Sequence, residues 1–323
     1  MKTARSTVTI LDDYQGVALT SADWSAVLAN HDVDVVREHI SDPDTLVDRL
    51  GHSAVVVAMR ERTPFDAALL RRLPALRLLV TTGIANASID VAAANELGIV
   101  VSGTGGVSTA VPELTLGMMI ALTRNIAAED RSMREGGWQH TIGPGISGRT
   151  LGIVGLGKQG VPVARLAQAF GMSVIAWSPN LTQQRADDAL EGVRAVSKQQ
   201  LFSTADVITV HMPLSERSRG LVGAADLAHM RATAYFVNTS RGPLVEEDAL
   251  VEALRSRAIA GAALDVYDIE PLPVDHPLRS LPNTLLLPHL GYVSTDSYAV
   301  FYADAVADIL AFEAGAPVRV LAP

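Results

Sequence analysis

The sequence predicts an α/β protein of two domains, each built on a parallel sheet. Three observations point there. At 323 residues the chain exceeds the size at which a single hydrophobic core stops growing. Short β-branched runs alternate with stretches of helical spacing in two successive series, the pattern of βαβ units. A glycine-rich turn opens the second series, between a strand-like run and a helical one.

The first series, about Thr7 to Gly103, has strands expected at VTIL, VDVV, AVVVAM, LRLLV and IVVSG. A long helical region follows, with Pro112 tolerable in its first turn, and leads into the Gly- and Pro-rich loop REGGWQHTIGPGISGRT. The second series starts at Leu151, with strands expected at LGIVG, SVIAW, VITVH, AYFVNTS, GAALDVY and TLLLPH. These runs are nearly all apolar, as strands covered by helices on both faces must be. The final helix, about Thr295 to Ala314, carries Tyr298, Phe301, Tyr302, Ala305, Ile309 and Phe312 on one broad apolar face that has to pack on another element.

Composition narrows the function. With 48% hydrophobic and 19% charged residues, the whole length can bury cores. A net charge of −9 without a Lys/Arg-dense stripe argues against nucleic acid or an anionic membrane as partner, and leaves small anionic ligands held by a local basic group. The absence of cysteine removes disulfides, thiolate catalysis and cysteine zinc sites, and no metal is expected. The opening MKTARSTVTILDDYQG reaches Asp12 and Asp13 before any apolar region long enough for a signal peptide. The longest apolar segment, LTLGMMIAL from Leu114 to Leu122, falls far short of the roughly twenty residues that cross a bilayer. A soluble, cytoplasmic protein is the expectation.

In LGIVGLGKQGVPVARLAQAFG, Gly155, Gly157 and Gly160 stand in G-x-G-x-x-G spacing. Alone, three such glycines fit a plain turn as well as a dinucleotide site. Between a strand and a helix they make a dinucleotide site: the first permits the tight turn, the second lets backbone approach a pyrophosphate, and the third lets helix and strand pack closely. The helix start then offers unpaired N–H groups to the phosphates. An acidic residue that would hold the adenosine ribose is expected about twenty positions on, at the end of the second strand, but AWSPN puts Ser178 there. No arginine follows at Pro179 or Asn180 to meet a 2′-phosphate, and the nearest is Arg185. NAD and NADP both stay open.

Three later strand ends carry chemistry. YFVNTSRGPLVEEDAL presents Arg241, whose planar fork suits a carboxylate and whose alternative is a surface pair with Glu246 or Glu247. ALDVYDIEPLP carries Asp265, which interrupts an apolar run, and Glu270. LLLPHLGYVS carries His289 between Pro288 and Gly291. An arginine, a carboxylate and a histidine at successive strand ends supply what hydride transfer to a 2-keto acid requires: a cation for the carboxylate and carbonyl, a proton donor, and an acid to keep that donor protonated.

With GLGKQG, NTSRGPLVEEDAL, ALDVYDIEPLP and PHLGYVS in order and spacing, the chain resembles the D-isomer-specific 2-hydroxyacid dehydrogenase family over most of its length. The resemblance implies two Rossmann-like/flavodoxin-like α/β domains with a cleft between them: a discontinuous substrate domain of residues 1–103 plus 288–323, and a dinucleotide-binding domain of residues 104–287. It implies that Arg241 binds substrate, that His289 is the acid/base, that Glu270 orients it, and that Asp265 contacts the nicotinamide side of NAD or NADP. The cofactor candidates are then Gly155, Gly157, Lys158, Gln159, Gly160, Ser178, His211, Pro213, Thr239 and Asp265. TTGIANASID is similar to the family's substrate loop, whose N–H groups near Ile84 and Ala85 would meet the substrate carboxylate, with Ala85 where glycine is frequent and Asn86 placed to add a side-chain contact. Arg60, after AVVVAM, either faces the same cleft or is a solvated charge beside Glu61 and Arg62; in the cleft it would favour an extra anionic or polar substrate group. The region from Arg124 to Gly148, with Trp138, resembles the family's dimerisation arm and implies a homodimer. Two alternatives accompany this reading. Some relatives are dinucleotide-sensing corepressors rather than enzymes. Formate dehydrogenase, in the same family, carries glutamine where this chain has Glu270.

Overall fold

The computed structural model describes residues 5–322; Lys2 and Pro323, which enter the readings of the two chain ends, lie outside the described residues. The chain falls into two compact units, Met1–Val107 with Ser294–Pro323, and Ser108–Val293. Among the described residues no helix is long and apolar enough to cross a membrane.

The first unit holds β1 (Ser6–Ile10), β2 (His31–Val35), β3 (Ser53–Ala58), β4 (Leu78–Thr81) and β5 (Val100–Gly103). All pair in parallel, in the order β2-β1-β3-β4-β5. This is the flavodoxin-like order, and ligands bind such sheets at the carboxyl ends of the strands. The helix Thr295–Glu313 packs within this unit, burying Tyr298, Phe301, Tyr302, Ala305 and Ile309, with the Tyr302 ring 6.3 Å from that of Trp24. Phe312, expected on the same face, is only half-buried. Past the helix the chain runs antiparallel to β5, where Ser102 pairs with Val320 and the Leu321 N–H donates to Val101 O at 2.8 Å.

The second unit holds β6 (Thr150–Val154), β7 (Ser173–Trp177), β8 (Val193–Ala195), β9 (Val207–Val210), β10 (Tyr235–Asn238), β11 (Gly261–Leu264) and β12 (Thr284–Leu286). They are parallel in the order β12-β11-β10-β9-β6-β7-β8. Counted from β6, that is the 3-2-1-4-5-6 arrangement of the Rossmann fold with one further strand beside the sixth. Phe236 and Val237, neighbours in β10, are both fully buried in different apolar clusters. Successive side chains leave opposite faces of a strand, so both faces of the sheet are covered, and the unbroken apolar runs follow.

Two expectations change here. Strand β11 stops at Leu264, so Asp265 is the first residue beyond a strand rather than an interruption of one. The chain leaves the second unit after Val293, not before Pro288, so His289 belongs to the second unit. The Asp265 carboxylate accepts the N–H groups of Leu290 at 2.6 Å and Gly291 at 2.8 Å, which ties the segment to the end of β11. The other boundary falls at Val107, a few residues past 103.

Candidate active site

The glycine loop leaves β6 beside β9, where the strand order reverses. Gly155 has φ +102°, and a Cβ there would stand 2.7 Å from the His211 carbonyl oxygen. A Cβ at Gly160 would stand 2.1 Å from the Gly155 oxygen, as close helix–strand packing demands. Around Gly157 the space is open: nothing lies within 4 Å of a Cβ position. The buried side-chain oxygen of Gln159 has no hydrogen-bond partner among the described residues. An open approach to backbone and a buried acceptor awaiting a donor suit a dinucleotide, and Lys158 stands exposed in the same loop.

Neighbouring strand ends complete this rim. Ser178 follows β7 directly and is half-buried. His211 follows β9; burial pushes its imidazole down to about 4, so it is neutral, with Nε2 3.0 Å from the Thr209 hydroxyl. Pro213 is exposed two residues on. Thr239, after β10, is buried with its hydroxyl 2.8 Å from that of Thr115. Beside it the Ser240 hydroxyl donates to Met212 O at 2.8 Å, joining the ends of β9 and β10.

His289 lies past the end of β12, largely buried, with Nδ1 2.6 Å from Glu270 Oε2. The Tyr267 N–H holds the other Glu270 oxygen at 3.0 Å, so the carboxylate has a fixed orientation. Burial pushes the Glu270 carboxyl up, but the hydrogen bond and charge of His289, the Tyr267 N–H and the Arg241 charge outweigh it and leave the carboxyl below the ordinary glutamate value. The Tyr292 ring meets the His289 ring edge-on at 5.4 Å between centroids. Arg241 is half-buried and donates from Nη1 to Ser240 O at 2.7 Å, while the Asn238 amide donates to Arg241 O at 2.9 Å. Of the surface acids weighed as its partners, Glu247 pairs with His276 at 2.9 Å and Glu246 accepts the Ala224 N–H at 3.0 Å.

Asp265 is fully buried, and its carboxylate faces the backbone of the His289 turn. Burial raises its carboxyl above the ordinary value, although the Leu290 and Gly291 N–H groups and the His289 charge pull the other way. Sequence reasoning missed this clamp and the roles of Tyr267 and Tyr292. The only available signal for Tyr292 was an aromatic three residues after the histidine.

In the first unit, Arg60 has φ +51° and its Nη1 donates to Thr82 O at 3.2 Å. Its guanidinium lies so close over Gly83 that a Cβ there would meet Nη1 at 1.9 Å. Ile84 and Ala85 are exposed, and their backbone N–H groups donate to nothing among the described residues. Asn86, expected to add a side-chain contact, is instead engaged in the loop itself: its amide donates to Arg60 O at 2.6 Å and the Thr81 hydroxyl at 2.9 Å, and accepts the Ser88 N–H at 2.8 Å.

Residues 116–291, more than half of the chain, match the model of the D-isomer specific 2-hydroxyacid dehydrogenase NAD-binding domain. The chain belongs to the D-isomer-specific 2-hydroxyacid dehydrogenase family. It is 35% identical to a glyoxylate reductase of Korarchaeum cryptofilum over 87% of this chain and 83% of that one. It is 33% identical to the D-3-phosphoglycerate dehydrogenase of Bacillus subtilis over 88% of this chain, yet spans only 54% of that longer protein. A solved phosphoglycerate oxidoreductase of Vibrio cholerae O395 superposes with a TM-score of 0.91 at 36% identity, covering 97% of this chain and 100% of that one. As a member of the family, this dehydrogenase is an oxidoreductase that moves hydride between a nicotinamide dinucleotide, NAD or NADP, and a 2-keto or 2-hydroxy acid, on a Rossmann-type second unit.

Proposed function

We infer that the chain reduces small 2-keto acids, and oxidises the matching 2-hydroxy acids, with His289 as acid/base, Glu270 as its positioning residue and Arg241 as the cation for the substrate carboxylate and carbonyl. The observation that carries this is the 2.6 Å contact of His289 Nδ1 with Glu270, itself held by the Tyr267 N–H and within reach of the Arg241 charge. A carboxylate on Nδ1 takes that proton as a hydrogen bond and leaves Nε2 to exchange a proton with substrate. A dinucleotide whose pyrophosphate is held at the glycine loop would supply or accept the hydride at its nicotinamide. His289 then delivers a proton to the carbonyl oxygen in reduction and removes it from the hydroxyl in oxidation. The half-buried Arg241 fork stabilises negative charge growing on that oxygen or holds the carboxylate beside it. The free N–H groups of Ile84 and Ala85, with Arg60 over Gly83, are proposed as further substrate contacts. A homodimer through residues 124–148 accords with the exposure of Trp138 and Ile142, and a cytoplasmic location is proposed with it.

A panel of glyoxylate, hydroxypyruvate, pyruvate, phenylpyruvate and branched 2-keto acids, followed at the nicotinamide absorbance, tests the reading. At least one should turn over. His289→Ala should lower kcat by about 10²–10⁴-fold while dinucleotide affinity holds, the usual share of a general acid/base. Arg241→Lys should recover only part of what Arg241→Ala loses, because the bidentate fork is gone. A His289→Ala enzyme as fast as wild type would remove the assignment.

A further inference from the structure

We propose that the turn after β7 is a 2′-phosphate site, that Arg185 is its cation, and that the enzyme therefore prefers NADP(H) to NAD(H). The proposal rests on the dinucleotide reading of the glycine loop and adds to it the choice between the two cofactors.

In a Rossmann unit the adenosine ribose reaches the carboxyl end of the second strand, here β7, where an acid selects NAD by binding the ribose hydroxyls and repelling a 2′-phosphate. Ser178 occupies that position with a neutral hydroxyl able to donate to a phosphate oxygen. The chain then turns back tightly: the Leu181 N–H donates to Ser178 O at 3.1 Å. Arg185, seven positions along the sequence from Ser178, returns to this turn in space, its Nη1 donating to Asn180 O at 2.9 Å. That bond engages one of the five N–H donors of a guanidinium and tethers the exposed group to the turn, leaving its other donors open to a ligand.

The two nearest carboxylates along the helix Gln183–Ala189 accept from other side chains, Asp187 from Gln183 at 2.8 Å and Asp188 from Gln184 at 2.9 Å. Among the described residues no carboxylate stands within ion-pair distance of Arg185. The other cation near the strand end, Lys198, lies 5.4 Å from the centre of the Trp177 ring but is paired with Asp226 at 2.6 Å, so its charge is compensated. In an acidic protein of net charge −9, the end of β7 is thus left with an uncompensated guanidinium and a hydroxyl. A phosphate monoester dianion matches both, through charge-assisted N–H and O–H donors. A ribose diol offers the guanidinium no charge to meet.

The test uses the whole chain and two unreactive fragments, 5′-ADP and 2′,5′-ADP, titrated by calorimetry, with NADH and NADPH followed by their own fluorescence. Wild type should bind 2′,5′-ADP and NADPH about tenfold or more tighter than 5′-ADP and NADH, with the margin shrinking as salt is added. Arg185→Gln, which keeps a donor for Asn180 O without the charge, should remove most of that margin by weakening the phosphorylated ligands alone. Arg185→Lys should keep part of it. Equal affinities in wild type, or an Arg185→Gln protein that weakens both ligand pairs alike, overturns the 2′-phosphate site while leaving the dinucleotide site standing. Failure of all four ligands to bind overturns the dinucleotide reading and this proposal with it.

Discussion

His289 has φ +56°, in the left-handed region that an L-residue other than glycine enters at a cost of about 1–3 kcal/mol when the surroundings over-determine it. The surroundings do so here. Asp265 accepts the two N–H groups that follow, from Leu290 and Gly291, and Gly291 lies so close that a Cβ on it would stand 3.2 Å from the same carboxylate and from Val111. The strained turn aims the ring at Glu270, and the clamp holds the turn. Asp265→Asn removes the charge and one acceptor, since an amide nitrogen cannot accept an N–H. We expect kcat to fall by about tenfold or more, from misplacement of His289, with KM for the keto acid changing less and a melting midpoint below wild type. A variant with wild-type kcat and midpoint would show that the clamp positions nothing. The types Arg, Glu and His at strand ends were legible in the sequence because a charged group after an apolar run stands out. The clamp was not, because residues 25 apart meet only through the direction in which a buried carboxylate turns, and no local pattern records that. Asn86 misled for the same reason: its side chain points into its own loop.

At the scale of elements, the three loop glycines do different things, and single methyl groups separate them. The Gly160 position has Gly155 O at 2.1 Å and Ile153 Cγ2 at 3.2 Å, so a Cβ there forces the helix Gly160–Ala169 away from β6. The Gly157 position is open. Gly160→Ala should therefore destabilise the fold by about 1–3 kcal/mol or more, as overpacking does. Gly157→Ala should stay within about 0.5 kcal/mol of wild type and lose dinucleotide affinity instead. Thermal melting and NADH titration of both variants check this; a Gly157→Ala protein with unchanged affinity would place the pyrophosphate elsewhere. Apolar, both-face-buried strands such as β7 and β9 were readable because burial on two sides writes a continuous run. Strand β8, three residues with exposed Arg194 at its centre, was not: an edge strand with one neighbour needs little apolar surface.

For the molecule as a whole, His211 ties fold stability to pH. Its imidazole is buried, accompanied by one hydroxyl, and burial lowers its value to about 4 against an ordinary 6.5. Between those two values the unfolded chain binds a proton that the folded chain refuses, and stability rises with pH wherever the unfolded state binds more protons. The contribution is therefore complete above pH 6.5 and is lost as pH falls through the window toward 4. At about pH 5 the loss amounts to about 2 kcal/mol. Other groups oppose it: burial pushes Asp308, in the first unit, up to about 7, so its carboxyl favours the folded state at low pH. The net profile of the wild type mixes both slopes. A difference between proteins isolates the histidine. His211→Gln keeps a polar group for the Thr209 hydroxyl and removes the titration. At about pH 7.5 the variant should melt below wild type, because it loses the packed ring; on going to about pH 5 the gap should narrow, since only the wild type gives up the buried neutral imidazole. Calorimetric scans of both proteins at the two pH values measure the gap, and a gap that stays constant or widens in acid would mean that His211 is protonated in the folded chain.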